Sequence, residues 1–158
     1  MKHSLKVGFS FGVTSGIITT LGLMVGLHST TKSKLVVLGG ILTIAIADAF
    51  SDALGIHISE EAENIHTKKQ IWTATISTFI FKAIFSLSFI IPILLFELAL
   101  AIKIGIIWGL LILTLLSYKI AKSQKNNPLH VIIEHLIIAF LVILTTHFVG
   151  DFVGKYFS

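Results

Sequence analysis

The stretch LVVLGGILTIAIADAFSDALGI, residues 35–56, decides the fold class. It is long and apolar enough to cross a bilayer core as a helix of about 20 residues, yet it carries two acids, Asp48 and Asp52. A carboxylate at that depth costs at least about 2.5 kcal/mol, so it is tolerated where it faces protein, water or a cation. The i, i+4 spacing puts both acids on one helix face, close enough to share one ligand. The same face is expected to continue through Gly55, Ser59 and Glu63, with Glu60 and Glu61 beside it. An acidic stripe from mid-membrane to the surface would make a path for a cation. Its outer end, Glu60 to Glu63, is expected as a solvated helix end.

The rest of the chain agrees with a membrane protein. Of its 158 residues, 54% are hydrophobic and 13% charged, with a mean hydropathy of +0.94; soluble domains carry about 25% charged residues. Five stretches are long enough to span, at about 5–28, 35–58, 71–96, 101–121 and 129–153. The loops are short, so residues 1–158 read as one all-α polytopic transmembrane domain. The first span is too long for a cleavable leader and runs on into a second.

All twelve basic residues are lysines. Lys2, Lys6, Lys68, Lys69, Lys119, Lys122 and Lys125 fall on one side of the membrane, against Lys32, Lys34, Lys103 and Lys155 on the other. That bias places the amino terminus in the cytoplasm and the carboxyl terminus outside. The net charge of +4 therefore reflects membrane ends and not nucleic-acid binding. A Lys-only, Ile-rich chain hints at a prokaryotic source and hence a cell membrane. Without cysteine, any metal must be held by oxygen and nitrogen ligands.

The first span repeats glycine at Gly8, Gly12 and Gly16, then at Gly22 and Gly26. Small residues four apart let helices approach closely in lipid. The partner is either within the chain or a second protomer, and a homodimer through the Gly8/Gly12/Gly16 face is the expectation. Pro92 should kink or end the third span.

Several of these segments resemble one family. GIITTLGLMVGL (16–27), ADAFSDALGIHISEEAE (47–63) and THFVGDFVG (146–154) are similar to the first, second and last spans of vacuolar iron transporter-like proteins. The resemblance implies a homodimer of five-helix protomers that exports Fe²⁺ or Mn²⁺ from the cytoplasm against protons, through a pathway at the dimer interface. Against the family pattern, Ser15 stands where a first-span aspartate is usual, and Asp52 where a methionine is. Ile56 replaces a glutamate, leaving His57 as the nearest ligand-capable residue. Only ISEEAENIHTKKQ occupies the place of a longer cytoplasmic insert.

The residues argue for the same chemistry by themselves. Asp48 and Asp52 offer hard oxygen ligands suited to divalent cations, with Glu60, Glu63 and Glu134 as further candidate metal ligands. Two bare carboxylates about 6 Å apart repel, which calls for a cation or a proton between them. Ser15 and Thr19 could add hydroxyl oxygens. Alternatively both acids are bonded to neighbouring helices, or one pairs with Lys82. His130/Glu134 and His147/Asp151 are i, i+4 pairs on the last span, and His147 with Asp151 would serve proton exchange at the exit.

The divalent ion is expected as transported substrate, with no organic cofactor. Two other readings stand beside a transporter. One is a membrane-embedded metalloenzyme using Asp48, Asp52, Glu134 and His135, although the chain lacks a nucleophile-plus-base motif. The other is a structural or regulatory subunit without a ligand of its own.

Overall fold

In the computed structural model, residues 2–157 are described. They form α1 (Lys2–Thr31), α2 (Lys34–Thr43), a π-turn (Ile44–Asp48), α3 (Ala49–Ala62), α4 (Lys68–Ser88), α5 (Ile90–Leu95), α6 (Leu98–Gln124) and α7 (Pro128–Tyr156), with no strand among them. α2, the π-turn and α3 run on as one span, as do α4 and α5. Five helices are thus long and apolar enough to cross a membrane: His3–Thr31, Lys34–Ala62, Lys68–Leu95, Leu98–Gln124 and Pro128–Tyr156.

Polar N-caps set where the second, third and fifth spans begin. Ser33 accepts from the Val36 amide, and Thr67 and Gln70 form a reciprocal capping box. Asn127 accepts from the Leu129 amide ahead of Pro128. Each cap satisfies amides that open a helix. The third span breaks at Phe89, three residues before Pro92. The proline ring displaces the carbonyl four residues back, that of Ser88, so the break precedes the proline.

α1 is the hub of the bundle. It packs along α4 and α7 and also touches α2 and α6. Half of its most apolar window is buried, against 6% for the last span, which lies at the periphery. Val13, Ile17, Leu21 and Met24 of α1 meet Val37 and Ile41 of α2, Phe89 and Ile93 of the third span, and Leu116 of α6 in one apolar core.

Glycine sets these approaches. Gly8, Gly12 and Gly16 lie against α4 of the same chain. A Cβ at Gly12 would stand 2.6 Å from the Thr78 carbonyl, and one at Gly16 3.0 Å from the Lys82 carbonyl. The expected dimer face is therefore occupied by the third span, because only a glycine surface admits α4 so closely. Gly22 and Gly26 meet Val142 and Thr146 of α7, while Gly150 and Gly154 return the contact against Gly26 and Thr30.

Two second-span glycines behave otherwise. A Cβ at Gly39 or Gly55 would meet nothing within 4 Å. They belong to a series at four-residue steps, Gly39, Thr43, Ala47, Ser51, Gly55 and Ser59, exposed along its whole length.

Candidate ion site at mid-membrane

Ser15, Asp48, Asp52 and Lys82 each lie near the middle of their spans, and packing around α1 brings all four together. The ammonium of Lys82 is 2.5 Å from Asp48 Oδ2 and 2.5 Å from Asp52 Oδ2. It also donates to Ser15 Oγ at 3.0 Å. Ser15 in turn donates to Asp52 Oδ2 at 2.5 Å, closing a triangle. Asp48 Oδ2 accepts no aligned hydrogen bond, so its tie to Lys82 is an ionic contact off the hydrogen-bond axis. A buried ion network holds only when its charges are paired at close range, and here one lysine compensates two acids.

Asp48 opens the regular helix α3 with Asp52 one turn on, so i, i+4 spacing lets both acids reach one nitrogen, while the backbone just ahead of them departs from α-helix. Ala49 N–H bonds to the carbonyl of Ile44, five residues back. That π-turn adds a residue to the helix at the acids. Such bulges redirect side chains and are frequent at functional sites. No composition signal marks it; IAIAD is unremarkable as helix.

Burial is lopsided. The Lys82 side chain is 0% exposed, while those of Asp48 and Asp52 are 37% and 20% exposed. The lysine seals the inner side, and the carboxylates open outward beside the Ala47/Ser51 face. In the sequence Lys82 is legible only as one alternative partner for a single aspartate; the structure shows it binding both.

The other sequence-predicted residues distribute around this centre. Thr19 bonds to the carbonyl of Ser15, supporting the helix and not the site. His57 pairs with Thr75 at 3.0 Å and packs against Trp72. Gly55, Ser59 and Glu63, the expected continuation of the acidic face, are all exposed, as is Glu61 beside them, whereas Glu60 is buried beneath His66, because Asp52, Ile56 and Glu60 follow the inward helical repeat. The reading of Glu60 as part of a solvated helix end is corrected accordingly. His66 contacts Glu60 at 3.7 Å and Glu63 at 3.2 Å, and stacks on His3.

On the last span His130 and Glu134 are exposed, and neither joins the aspartates; His135 turns inward to Ser117 at 2.8 Å. His147 lies 2.6 Å from Ser29 and 3.5 Å from Asp151, beside His28 and Lys103 at one membrane end. Among the described residues no three His, Cys, Asp or Glu side chains converge as a ready-made metal cage.

Residues 9–71, less than half of the chain, match the model of the VIT family, the vacuolar iron transporters. The match covers nearly all of the first span, all of the second and the opening of the third, and supports the resemblance carried by 16–27 and 47–63. No curated protein and no solved structure matches the chain.

Proposed function

We propose that this five-span membrane protein, matching the VIT family across its first two spans, transports divalent metal cations such as Fe²⁺ or Mn²⁺, with Asp48 and Asp52 as the transit site. One observation carries the reading: two carboxylates at mid-membrane are left partly open on one side. At that depth exposure to lipid is costly, so the open side suits water, a second protomer or a passing cation. The oxygen-only donor set favours hard divalent ions. Uptake of a panel of divalent ions into proteoliposomes tests it; Mn²⁺ or Fe²⁺ flux is expected, and no flux of any divalent ion would end the reading.

We further propose a homodimer that meets through the exposed second-span series from Gly39 to Ser59, not through the glycines of α1. The two open glycine positions support this, since small residues at helical spacing favour close helix pairing in lipid. The transit sites would then flank the interface. Gly55→Leu should leave the protomer's unfolding temperature unchanged or slightly raised, since its Cβ meets open space and leucine favours helix by up to about 1 kcal/mol. The same variant should shift the protein from dimer to monomer in detergent light scattering. An intact dimer would place the interface elsewhere.

The lysine bias supports an amino terminus in the cytoplasm, and the resemblance to the vacuolar iron transporters supports export as the direction of transport. Proton exchange would use His147 and Asp151 at the outer end, where the two side chains stand 3.5 Å apart. Metal flux should therefore respond to an imposed pH gradient, and His147→Ala should blunt that response. Flux indifferent to the gradient would make the protein a facilitated carrier.

A further inference from the structure

We propose that Lys82 is a tethered resident cation of the transit site, which an incoming metal displaces and whose return expels the metal. The proposal rests on the reading of Asp48 and Asp52 as the transit site. Its basis is geometric. The ammonium stands 2.5 Å from one oxygen of each carboxylate, the position a shared metal ion would take. Its contacts, and that of Ser15, fall on the Oδ2 atoms, so the Oδ1 atoms remain for an arriving ion on the open side.

A divalent ion bound to those oxygens would lie within a carboxylate's width of the ammonium. Two positive charges that close in a low-dielectric interior repel strongly, so metal and ammonium exclude one another. Thr78, one turn back on the same face of α4, is fully enclosed and its hydroxyl oxygen has no partner. The flexible four-carbon stem lets the ammonium leave the acids without leaving the protein.

The device addresses a problem every carrier of this kind meets. Once cargo is released, two bare carboxylates remain at mid-membrane, and an uncompensated pair is unfavourable there. A tethered ammonium compensates the empty site and lets the empty carrier return. It also keeps the metal from binding too tightly to be released.

The experiment is Mn²⁺ binding to the purified full-length protein, with wild type compared with Lys82→Met, Lys82→Gln, Lys82→Arg and the triple variant Lys82→Met/Asp48→Asn/Asp52→Asn. Removing the ammonium should tighten Mn²⁺ binding at least about tenfold and slow Mn²⁺ release, because a competing positive charge is gone. Lys82→Arg should stay as weak as wild type. Lys82→Gln, which keeps a donor for the acids, decides the matter if the Met variant fails to fold. A merely structural lysine would not yield tighter binding on removal. Unchanged or weaker binding in the Met and Gln variants, with binding lost in the triple variant, overturns the resident-cation proposal and leaves the transit site standing. Binding in the triple variant equal to that in Lys82→Met would show that the ion binds elsewhere, and the transit-site reading fails first.

Discussion

Replacing Asp48 and Asp52 together by Asn should destabilise the protein by about 3–5 kcal/mol, the usual cost of stranding a buried charge. The stranded charge is Lys82, whose side chain has no exposure and whose two anionic partners are those acids. Adding Lys82→Met should recover most of that stability, because the whole network is then neutral and only its hydrogen bonds are lost. Replacing a buried ion network by well-packed hydrophobic residues of similar volume is often neutral or stabilising, and here Met replaces the one fully buried member while the Asn side chains keep their partial exposure. Unfolding in detergent, followed by circular dichroism against denaturant, checks both steps. If the double variant is as stable as wild type, the lysine is not held by the aspartates.

The second large effect is expected at Gly12. A leucine there must push α4 away, since even its Cβ would stand 2.6 Å from the Thr78 carbonyl and 3.1 Å from the Lys82 amide. Overpacking of this kind costs about 1–3 kcal/mol or more, and the clashing atoms are backbone that cannot rotate aside. The same shift would carry Lys82 off Asp48 and Asp52, so stability and cation binding should fall together. Gly12→Leu should therefore lower the unfolding temperature markedly, whereas Gly55→Leu should not. Equal tolerance at both positions would contradict the packing of α1 on α4.

The contrast between these two glycines also shows what the sequence could tell. Hydropathy and length located all five spans, because a helix in lipid must satisfy its own backbone and present apolar side chains. The acid pair was visible because carboxylates are rare in hydrocarbon. Glycine spacing announced close packing on the first span, but not the partner. Gly8, Gly12 and Gly16 meet α4, while Gly39 and Gly55 of the second span meet nothing. A four-residue period gives a face, and only tertiary structure says what lies against it.

The site was half legible for the same reason. Ser15 and Lys82 are 67 positions apart and come together through the α1–α4 packing, which no local pattern encodes. The π-turn over Ile44–Asp48 leads into the acid pair without a compositional mark. Glu60 is a smaller case: charge and a terminal position suggested solvent, but the repeat through Asp52 and Ile56 carries it inward beneath His66.

The central claim is that cations cross at Asp48 and Asp52, and flux through the reconstituted protein tests it most directly. Mn²⁺ uptake into proteoliposomes should be measured for wild type and for the neutral Asp48→Asn/Asp52→Asn/Lys82→Met variant, with matched protein insertion and folding. Wild type should carry Mn²⁺ saturably, and the neutral variant should fall to the rate of protein-free vesicles. Equal Mn²⁺ flux through both proteins would contradict the claim.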